Sequence, residues 1–307
     1  MTALSQTHVL CVGAAVLDTI YRVRTLPIGE GKVLPYEMIQ IAEGMASSAA
    51  YAVVRLGGEA SLWGAVGDDH TGDRIVSDLG RAGIDITGML RVEGARSAMA
   101  TILLDDSGER LVIPYYEPRL HGIVKSVTAS DVANFDAVLV DVRWPQLALT
   151  VLEAARAAGK PAILDGDVAP VETLEMLAPP ASHIIFSRPA AERLSGNADV
   201  THATAILKER YPAAFVATTA GVDGCFFFDD DRREVHKILP PRVDVIDTLA
   251  AGDIFHGAFA IAIAERMPPK DAVRFSCVAA ALKCQVFGGR TGAPSRAEVV
   301  ERLSQIE

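Results

Sequence analysis

The sequence is poor in cysteine and in aromatic residues. Its 307 residues include 4 cysteines and 2 tryptophans, and aromatic side chains make up 6% of the chain. No two cysteines form a Cys-x-x-Cys pair, and each lies in an apolar stretch: Cys11, Cys225, Cys277 and Cys284. This pattern favours buried, reduced thiols in a cytoplasmic protein over a disulfide framework.

Excess basic charge and long apolar runs are also lacking. The formal net charge of −10 at pH 7 makes a broad surface for nucleic acid or for an anionic membrane unfavourable. The apolar run at 8–17 has no basic region before it and is too short to cross a bilayer. We therefore expect a cytoplasmic protein with neither a nucleic-acid partner nor a membrane partner.

Strands and helices alternate along the chain, without a repeat, a low-complexity tract or a linker. Apolar runs predict strands at 9–12, 60–66, 137–140, 162–165, 184–187 and 215–219. Amphipathic segments predict helices at 47–56, 72–82, 147–158 and 190–194. Such alternation predicts an α/β fold with a mostly parallel sheet that is covered on both faces.

Two stretches, 19–41 and 96–116, interrupt this alternation. Both have β-branched runs or strand-like alternation, and the second contains a turn signal at Asp106-Ser107-Gly108. Antiparallel strands inserted into an α/β chain predict a small accessory sheet. Two interpretations of these strands stay open: they form a lid over a site, or they add strands to the main sheet.

The strongest chemical signal lies at 243–264, where a strand-like run ends at Asp247 and Thr248 and an apolar helix begins near Ala251. The small residues at 250–252 let a ligand approach the backbone. The first N–H groups of a helix have no intrahelical partner and make its tip electropositive, which suits a transferring phosphoryl group. Asp253 in the first turn can accept a proton from an attacking hydroxyl.

The string Asp-Thr-Leu-Ala-Ala-Gly-Asp at 247–253 resembles the C-terminal signature of the ribokinase (PfkB) family of sugar kinases. Three other parts of the chain resemble family segments in the family's order: Asp18 after the first strand, the stretch from Glu43 through 75, and the Thr-x-Gly-x-x-Gly turn at 219–224. The resemblance implies one ribokinase-like kinase domain over 1–307, a doubly wound α/β sheet with a small β lid formed by about 14–43 and 96–118.

The resemblance also implies in-line transfer of the γ-phosphoryl group of ATP to a primary hydroxyl of a sugar, with Mg²⁺ accompanying ATP. Asp253 is the implied base, and the implied anion hole is the turn of Ala250, Ala251 and Gly252. Implied substrate-binding residues are Asp18, Lys32, Gly44, Ser48, Arg143 and Arg110. Implied nucleotide-binding residues are Ser187, Thr219, Gly221, Gly224 and Gly252. A monovalent cation such as K⁺ is implied near Asp247 and the carbonyl of Leu249, and an open lid edge favours a homodimer.

The sequence departs from the family pattern near the phosphates and the sugar. Ser187-Arg188-Pro189-Ala190 stands where many relatives have Asn-x-x-Glu, which leaves metal handling to water or to Asp165 and Asp167. Ser48 stands where many have a sugar-binding Asn, and Glu43-Gly44 where a Gly-Gly pair is common. The last two changes indicate an acceptor other than plain ribose.

Segments 138–145, 163–170 and 280–294 look closest to the sulfofructose kinases of this family, which phosphorylate 6-deoxy-6-sulfofructose at its 1-hydroxyl. Lys32 and Arg143 fit the anion-recognising positions of that group. A sulfonate is a permanent anion, and Arg offers it a planar fork of donors. Pro114 stands where a polar amide is expected, and Arg110 is a candidate to replace that contact.

Other interpretations remain. Fructose, 2-keto-3-deoxygluconate, tagatose phosphate or a nucleoside are alternative acceptors, and a non-catalytic sugar- or nucleotide-binding regulator is an alternative of another class. A nucleotide-dependent oxidoreductase is disfavoured because Gly13-Ala14-Ala15 lacks the Gly-x-Gly-x-x-Gly pattern. The position of His256 is more typical of a residue that packs between helices than of a proton carrier. The position of Asp69 is typical of a helix cap.

Overall fold

A computed structural model describes residues 6–123 and 125–306. The strands are β1 His8–Val12, β2 Val16–Val23, β3 Glu37–Glu43, β4 Glu59–Trp63, β5 Ala65–Gly67, β6 Leu90–Val92, β7 Met99–Asp105, β8 Arg110–Tyr115, β9 Ala137–Val140, β10 Ala162–Gly166, β11 His183–Ser187, β12 Phe215–Thr219, β13 Cys225–Asp229 and β14 Glu234–Ile238. The helices are α1 Met45–Arg55, α2 His70–Arg81, α3 Ala129–Val132, α4 Pro145–Ala157, α5 Val171–Leu177, α6 Arg188–Ser195, α7 Val200–Arg210, α8 Ala251–Ala264, α9 Pro269–Lys283 and α10 Arg296–Ser304. Within the described ranges, none of these helices is long and apolar enough to span a bilayer.

The large sheet has eight strands in the order β14-β13-β12-β11-β10-β9-β1-β4. The run from β12 to β4 is parallel, and β13 and β14 add an antiparallel edge. Alternating residues of β1 enter two different cores, Leu10 and Val12 on one face and Val9 and Cys11 on the other. Because helices α4 to α7 cover the first face and α1, α8 and α9 the second, the predicted doubly wound sheet is confirmed. All four cysteines are free and buried, also as predicted.

A second sheet of four strands, in the order β3-β2-β7-β8, is separate from the first. It comes from the two stretches that interrupt the alternation, and the predicted β7–β8 hairpin turns at Gly108, whose amide donates to Asp105 O at 3.0 Å. The alternative of extra strands on the main sheet is therefore wrong. The register sets Asp18, Ala100 and Pro114 in one row across β2, β7 and β8.

Two predicted strands need correction. The run at 243–248 forms no strand, because the amides of Ile246 and Asp247 both donate to Cys284 O at the end of α9 and not to another strand. The prolines at 240 and 241 also lack amide donors for a sheet ladder. The predicted strand at 60–66 breaks at Gly64: its first part is β4 of the large sheet, and the rest becomes β5, which pairs with β6.

Candidate active site

The N-terminus of α8 lies at the centre of the candidate site. Helix α8 begins at Ala251 as predicted, and no side chain caps it. Its N-cap residue, Ala250, has φ 61°, a left-handed conformation that is uncommon for a residue with a side chain. This turn therefore presents backbone N–H groups, with the positive end of the helix dipole behind them.

Neither the backbone conformation nor any contact within the protein requires a glycine at position 252. It is not among the residues with positive φ, and a Cβ built on it meets nothing within 4 Å. It is also exposed. The remaining physical reason for the missing side chain is the close approach of a ligand to the helix tip.

A cavity of about 1000 Å³ opens beside this tip. Four of the five predicted nucleotide-binding residues line it: Thr219, Gly221, Gly224 and Gly252. Apolar side chains form another part of its wall, namely Val222, Val243, Val245, Ala280 and Ala281. The combination of an apolar wall with a phosphate-suited turn matches what a nucleotide needs. Ser187 does not line this cavity; it ends β11, and its hydroxyl is buried without a protein partner.

Asp253 faces a group of acidic side chains. Burial raises its pKa well above the usual range for Asp, and the negative charges of Glu43 and Asp167 raise it further. Burial and the charge of Glu43 also raise the pKa of Asp18 to about 8. A carboxylate with a raised pKa is a stronger proton acceptor once it is ionised, which suits Asp253 to removing a proton from an alcohol.

Asp141, which the sequence analysis did not single out, connects three parts of the site. Its carboxylate accepts the amides of Ala14 at 2.8 Å, Ala46 at 3.1 Å and Arg143 at 2.8 Å. It therefore joins the segment before β2, the start of α1 and the loop after β9. The available signal was its place at the carboxyl end of a parallel strand, where ligand-binding residues collect.

Arg143 lies at the carboxyl end of β9, as predicted, with its side chain 35% exposed. One guanidinium nitrogen donates to Val168 O at 3.2 Å, and another lies 3.6 Å from an Asp167 carboxylate oxygen. Both contacts leave donors of the guanidinium free for a ligand. The charges of Arg143, Asp18 and Asp253 all act on the hydroxyl of Tyr116, whose pKa is raised mainly by burial. These charges thus reach Tyr116, which directly follows β8.

Arg110 is not where the sequence analysis expected it. Its guanidinium donates to the Thr248 hydroxyl at 2.7 Å and lines the same cavity as Thr219 and Gly224. Arg110 shares a face of the small sheet with Asp18 and Pro114, but it lies at the start of β8, four residues before Pro114. The structure therefore assigns Arg110 to the side of the helix tip and the large cavity.

Three other predicted substrate contacts differ in their placement. Ser48 is fully buried, and its hydroxyl donates to Glu43 at 2.5 Å inside the protein. Gly44 is the N-cap of α1, with φ 117°, and a Cβ there would lie 2.5 Å from Ala14 O. Lys32 is exposed in the connection between β2 and β3.

His256 packs inside the protein, in agreement with its structural interpretation. Nδ1 lies 2.8 Å from Gly252 O, and Nε2 lies 3.4 Å from an Asp165 oxygen. Burial lowers the pKa of His256 and raises that of Asp165. Burial thus disfavours the charged form of both groups. Asp69 caps α2 through the Gly72 amide at 2.7 Å, which confirms that prediction.

Known proteins resemble this chain over nearly its whole length. The family described as pfkB family carbohydrate kinase matches residues 6–296. The ribokinase of Bacillus subtilis (strain 168) is 27% identical over 306 residues, which cover 97% of this chain and 99% of that protein. A crystal structure of an Agrobacterium tumefaciens protein, provisionally described as a ribokinase, is 62% identical with a TM-score of 0.97 and covers 98% of this chain and 99% of that one.

Arabidopsis thaliana ribokinase, solved with ribose and ATP, is 22% identical and has a TM-score of 0.81 over 98% of this chain and 99% of that one, which shows a shared fold. The electropositive helix tip, the carboxylate beside it and these similarities define an ATP-dependent carbohydrate kinase. The chain belongs to the pfkB family of carbohydrate kinases.

Proposed function

We propose that this kinase phosphorylates 6-deoxy-6-sulfofructose at its 1-hydroxyl, in the cytoplasm. The observation that carries the proposal is that Arg143 closely follows β9, the strand on which α8 packs, and that Asp253 lies in the first turn of α8. A group that can bind an anion and a base therefore belong to two neighbouring elements. The resemblance of segments 138–145, 163–170 and 280–294 to the sulfofructose kinases supports the same acceptor.

In the proposed reaction, Asp253 accepts the proton of the attacking hydroxyl, whose oxygen forms a bond to the γ-phosphorus as the bond to the leaving ADP oxygen breaks. Backbone amides at 250–253 stabilise the charge on the transferring phosphoryl oxygens. Asp18 holds other sugar hydroxyls. Arg143, which is positioned by its contacts with Val168 and Asp167, binds the sulfonate at the far end of the sugar.

The nucleotide occupies the large cavity in this proposal. Thr219, Gly221 and Gly224 contact its phosphates, and the apolar wall at 243–245 and 280–281 packs against adenine. Within residues 6–123 and 125–306 there is no group of three His, Cys, Asp or Glu side chains that would hold a metal ion. In this proposal Mg²⁺ would accompany the phosphates of ATP and neutralise part of their charge. Of the two predicted carboxylates, Asp167 is the more exposed and would accept hydrogen bonds from the water ligands of the ion, whereas Asp165 is buried against His256.

The small sheet is proposed to act as a lid within a single kinase domain. It carries Asp18 toward the site on its inner face, and its loop between β2 and β3 carries the exposed Lys32. A second cation from this loop would reach the sulfonate when the lid closes, which would also exclude water from the reacting groups.

The acceptor is tested by ADP formation with 6-deoxy-6-sulfofructose, fructose, fructose 6-phosphate, ribose and a nucleoside. We expect the sulfonated ketose to give the highest kcat/KM. Replacing Arg143 with Met should lower that value by about 10²-fold, because the anion loses a charge-assisted partner, while fructose is affected far less. Arg156→Met, which removes an exposed arginine of α4, is the matched control.

A different order of preference among these acceptors would indicate a different function. A preference for fructose 6-phosphate would assign Arg143 to a phosphate, and a preference for ribose or a nucleoside would contradict the anionic acceptor. Tight sugar or ATP binding without any ADP formation would favour the non-catalytic regulator.

Arg110 is predicted to serve ATP rather than the sugar, because it donates to Thr248 and lines the large cavity. Arg110→Ala should raise the KM for ATP by about 10-fold, as expected for the loss of one charge-assisted hydrogen bond. The KM for the sugar should stay within about 2-fold of the wild-type value if the two sites are independent. Steady-state kinetics with each substrate varied in turn give both constants, and the reverse pattern would return Arg110 to the sugar site.

A homodimer formed through the small sheet is part of the same proposal. Strand β8 is an edge strand, and apolar side chains on its outer face are exposed, among them Leu111 at 44%, Ile113 at 56% and Tyr115 at 45%. An open apolar edge of this kind favours pairing with a second copy. We expect Ile113→Lys to shift the protein to monomers in sedimentation experiments, whereas Val300→Lys, at a similarly exposed position of α10, leaves the dimer intact.

A further inference from the structure

Lys283, the last residue of α9, has its side chain entirely inside the protein. Its Nζ donates to the carbonyl oxygen of Asp247 at 2.7 Å and lies 3.3 Å from a carboxylate oxygen of the same residue, which is also fully buried. Burial of an ammonium group is costly unless fixed negative groups replace its water. The burial of Lys283 therefore indicates a structural or functional role that an exposed lysine would not have.

Asp247 connects the helix tip to the loop after α9. Its Oδ1 accepts the Leu249 amide at 2.7 Å, and its Oδ2 accepts the amides of Gly288 and Gly289 at 3.0 Å each. Because Lys283 binds the same carboxylate, its ammonium joins both segments to the end of α9. Leu249 directly precedes the turn at 250–252, so this cluster sets the position of the anion-binding amides.

The charge of Lys283 also acts on the carboxylates of the site. Glu43 has a pKa raised to about 7 by burial, and the charge of Lys283 is among the influences that lower it. Glu43 in turn raises the pKa of Asp253. A fixed positive charge behind these acidic groups therefore offsets part of the negative charge that accumulates during phosphoryl transfer.

The residues around Asp247 do not fit K⁺, which the family resemblance implies at this place. Such an ion needs several oxygen atoms with free lone pairs. The Asp247 carbonyl already accepts from Lys283, Oδ1 accepts one backbone amide, and Oδ2 accepts two and lies 3.3 Å from the ammonium, so few lone pairs of this residue are left for an ion. A second cation at these oxygens would also lie against the ammonium and be repelled by it.

We propose that the ammonium of Lys283 takes the place of a monovalent cation, so that this kinase requires neither K⁺ nor NH₄⁺. Lys283 is a positioning residue: it fixes Asp247 and, through it, the helix tip. The inference rests on the carbohydrate kinase activity alone. It does not depend on the acceptor, because the assays use whichever sugar gives the highest rate.

The first test compares wild-type rates in tetramethylammonium buffer with and without added KCl or NH₄Cl, at constant ionic strength. We expect equal rates, and a several-fold stimulation by K⁺ would overturn the proposal. Because this test uses the unaltered protein, it remains decisive if a variant fails to fold. A protein that is inactive in every salt would contradict the kinase activity instead.

The second test uses two variants that differ in the space left behind. Lys283→Ala leaves a gap beside Asp247, so we expect its rate to fall by about 10²-fold in tetramethylammonium buffer and to recover with K⁺ or NH₄⁺. Lys283→Met fills most of the gap without a charge and should not recover. The melting temperature of Lys283→Ala should likewise rise with K⁺, because an ion that binds only the folded state stabilises it.

Lys208 supplies a matched control, since its buried Nζ donates to Ala214 O at 2.9 Å and to an Asp230 oxygen at 2.8 Å. Lys208→Ala removes a similar pair far along the chain from α8, so it should lower the melting temperature without creating a response to K⁺. Full activity of folded Lys283→Ala in tetramethylammonium buffer would overturn the proposal, as would an equal response of both alanine variants to K⁺.

Discussion

Asp253→Asn is expected to lower kcat by about 10³-fold, since a positioned base typically contributes this much to a proton transfer. Asn keeps the shape of the side chain and its place in the first turn of α8 but cannot accept the proton. ATP and sugar should still bind with nearly unchanged affinity, which calorimetry on the variant measures. Asp271→Asn is the matched control, because Asp271 is an exposed acid in the first turn of α9.

The pH dependence of kcat/KM should also distinguish Asp253→Asn from the wild-type enzyme. Because burial and neighbouring carboxylates raise the pKa of Asp253, wild-type kcat/KM should rise with pH until this group is ionised, and the residual activity of Asp253→Asn should lack that rise. Because the folded-state pKa lies above the unfolded-state pKa, this carboxyl group lowers the stability of the folded protein progressively as pH rises from the unfolded-state pKa to the folded-state pKa, and the loss is constant at higher pH. The variant should therefore melt at or above the wild-type temperature at pH 8, and full activity with normal folding would refute the assignment.

Gly252→Ala is expected to reduce kcat/KM by about 10²-fold without loss of stability, because a methyl group would displace the phosphoryl group from the helix tip. A Cβ at this position meets nothing within 4 Å, so the folded protein accommodates it. Alanine in a helix is also favoured over glycine by up to about 1 kcal/mol, so the melting temperature should stay equal or rise.

Gly80→Ala separates the two effects, because Gly80 is an exposed glycine of α2 whose added Cβ would only touch Ile86 Cδ1 at 3.4 Å. It should gain the same stability and keep full activity. Wild-type kinetics for Gly252→Ala would show that no ligand approaches the tip of α8 closely.

The sequence predicted much of the large sheet because its central strands are buried on both faces. The runs at 137–140 and 215–219 are continuous apolar or β-branched segments, and both are strands with the predicted bounds. The tip of α8 was predictable for another reason: small residues followed by an apolar helix and an acid form a local pattern. Local patterns failed at 243–248, which was predicted to form a strand but has no strand partner: the amides of Ile246 and Asp247 donate to the end of a helix instead.

The parts of the site that depend on distant contacts could not be predicted. Asp141 receives amides from residues 127 and 95 positions away, and Lys283 reaches Asp247 from 36 positions away. No spacing rule reveals such pairs, because they depend on how the helices pack on the sheet. Arg110 was misplaced for the same reason: its neighbour Thr248 is 138 residues away.

The row formed by Asp18, Ala100 and Pro114 has an evolutionary consequence. Apart from Arg110, the residues that line the proposed nucleotide cavity come from the last third of the chain, whereas this row belongs to strands in its first half. Substitutions at these three neighbouring positions can therefore change which sugar the enzyme binds, while the residues that bind ATP stay the same. Pro114 replaces a polar amide with a ring that offers no donor, and it is the place to look for that divergence among relatives.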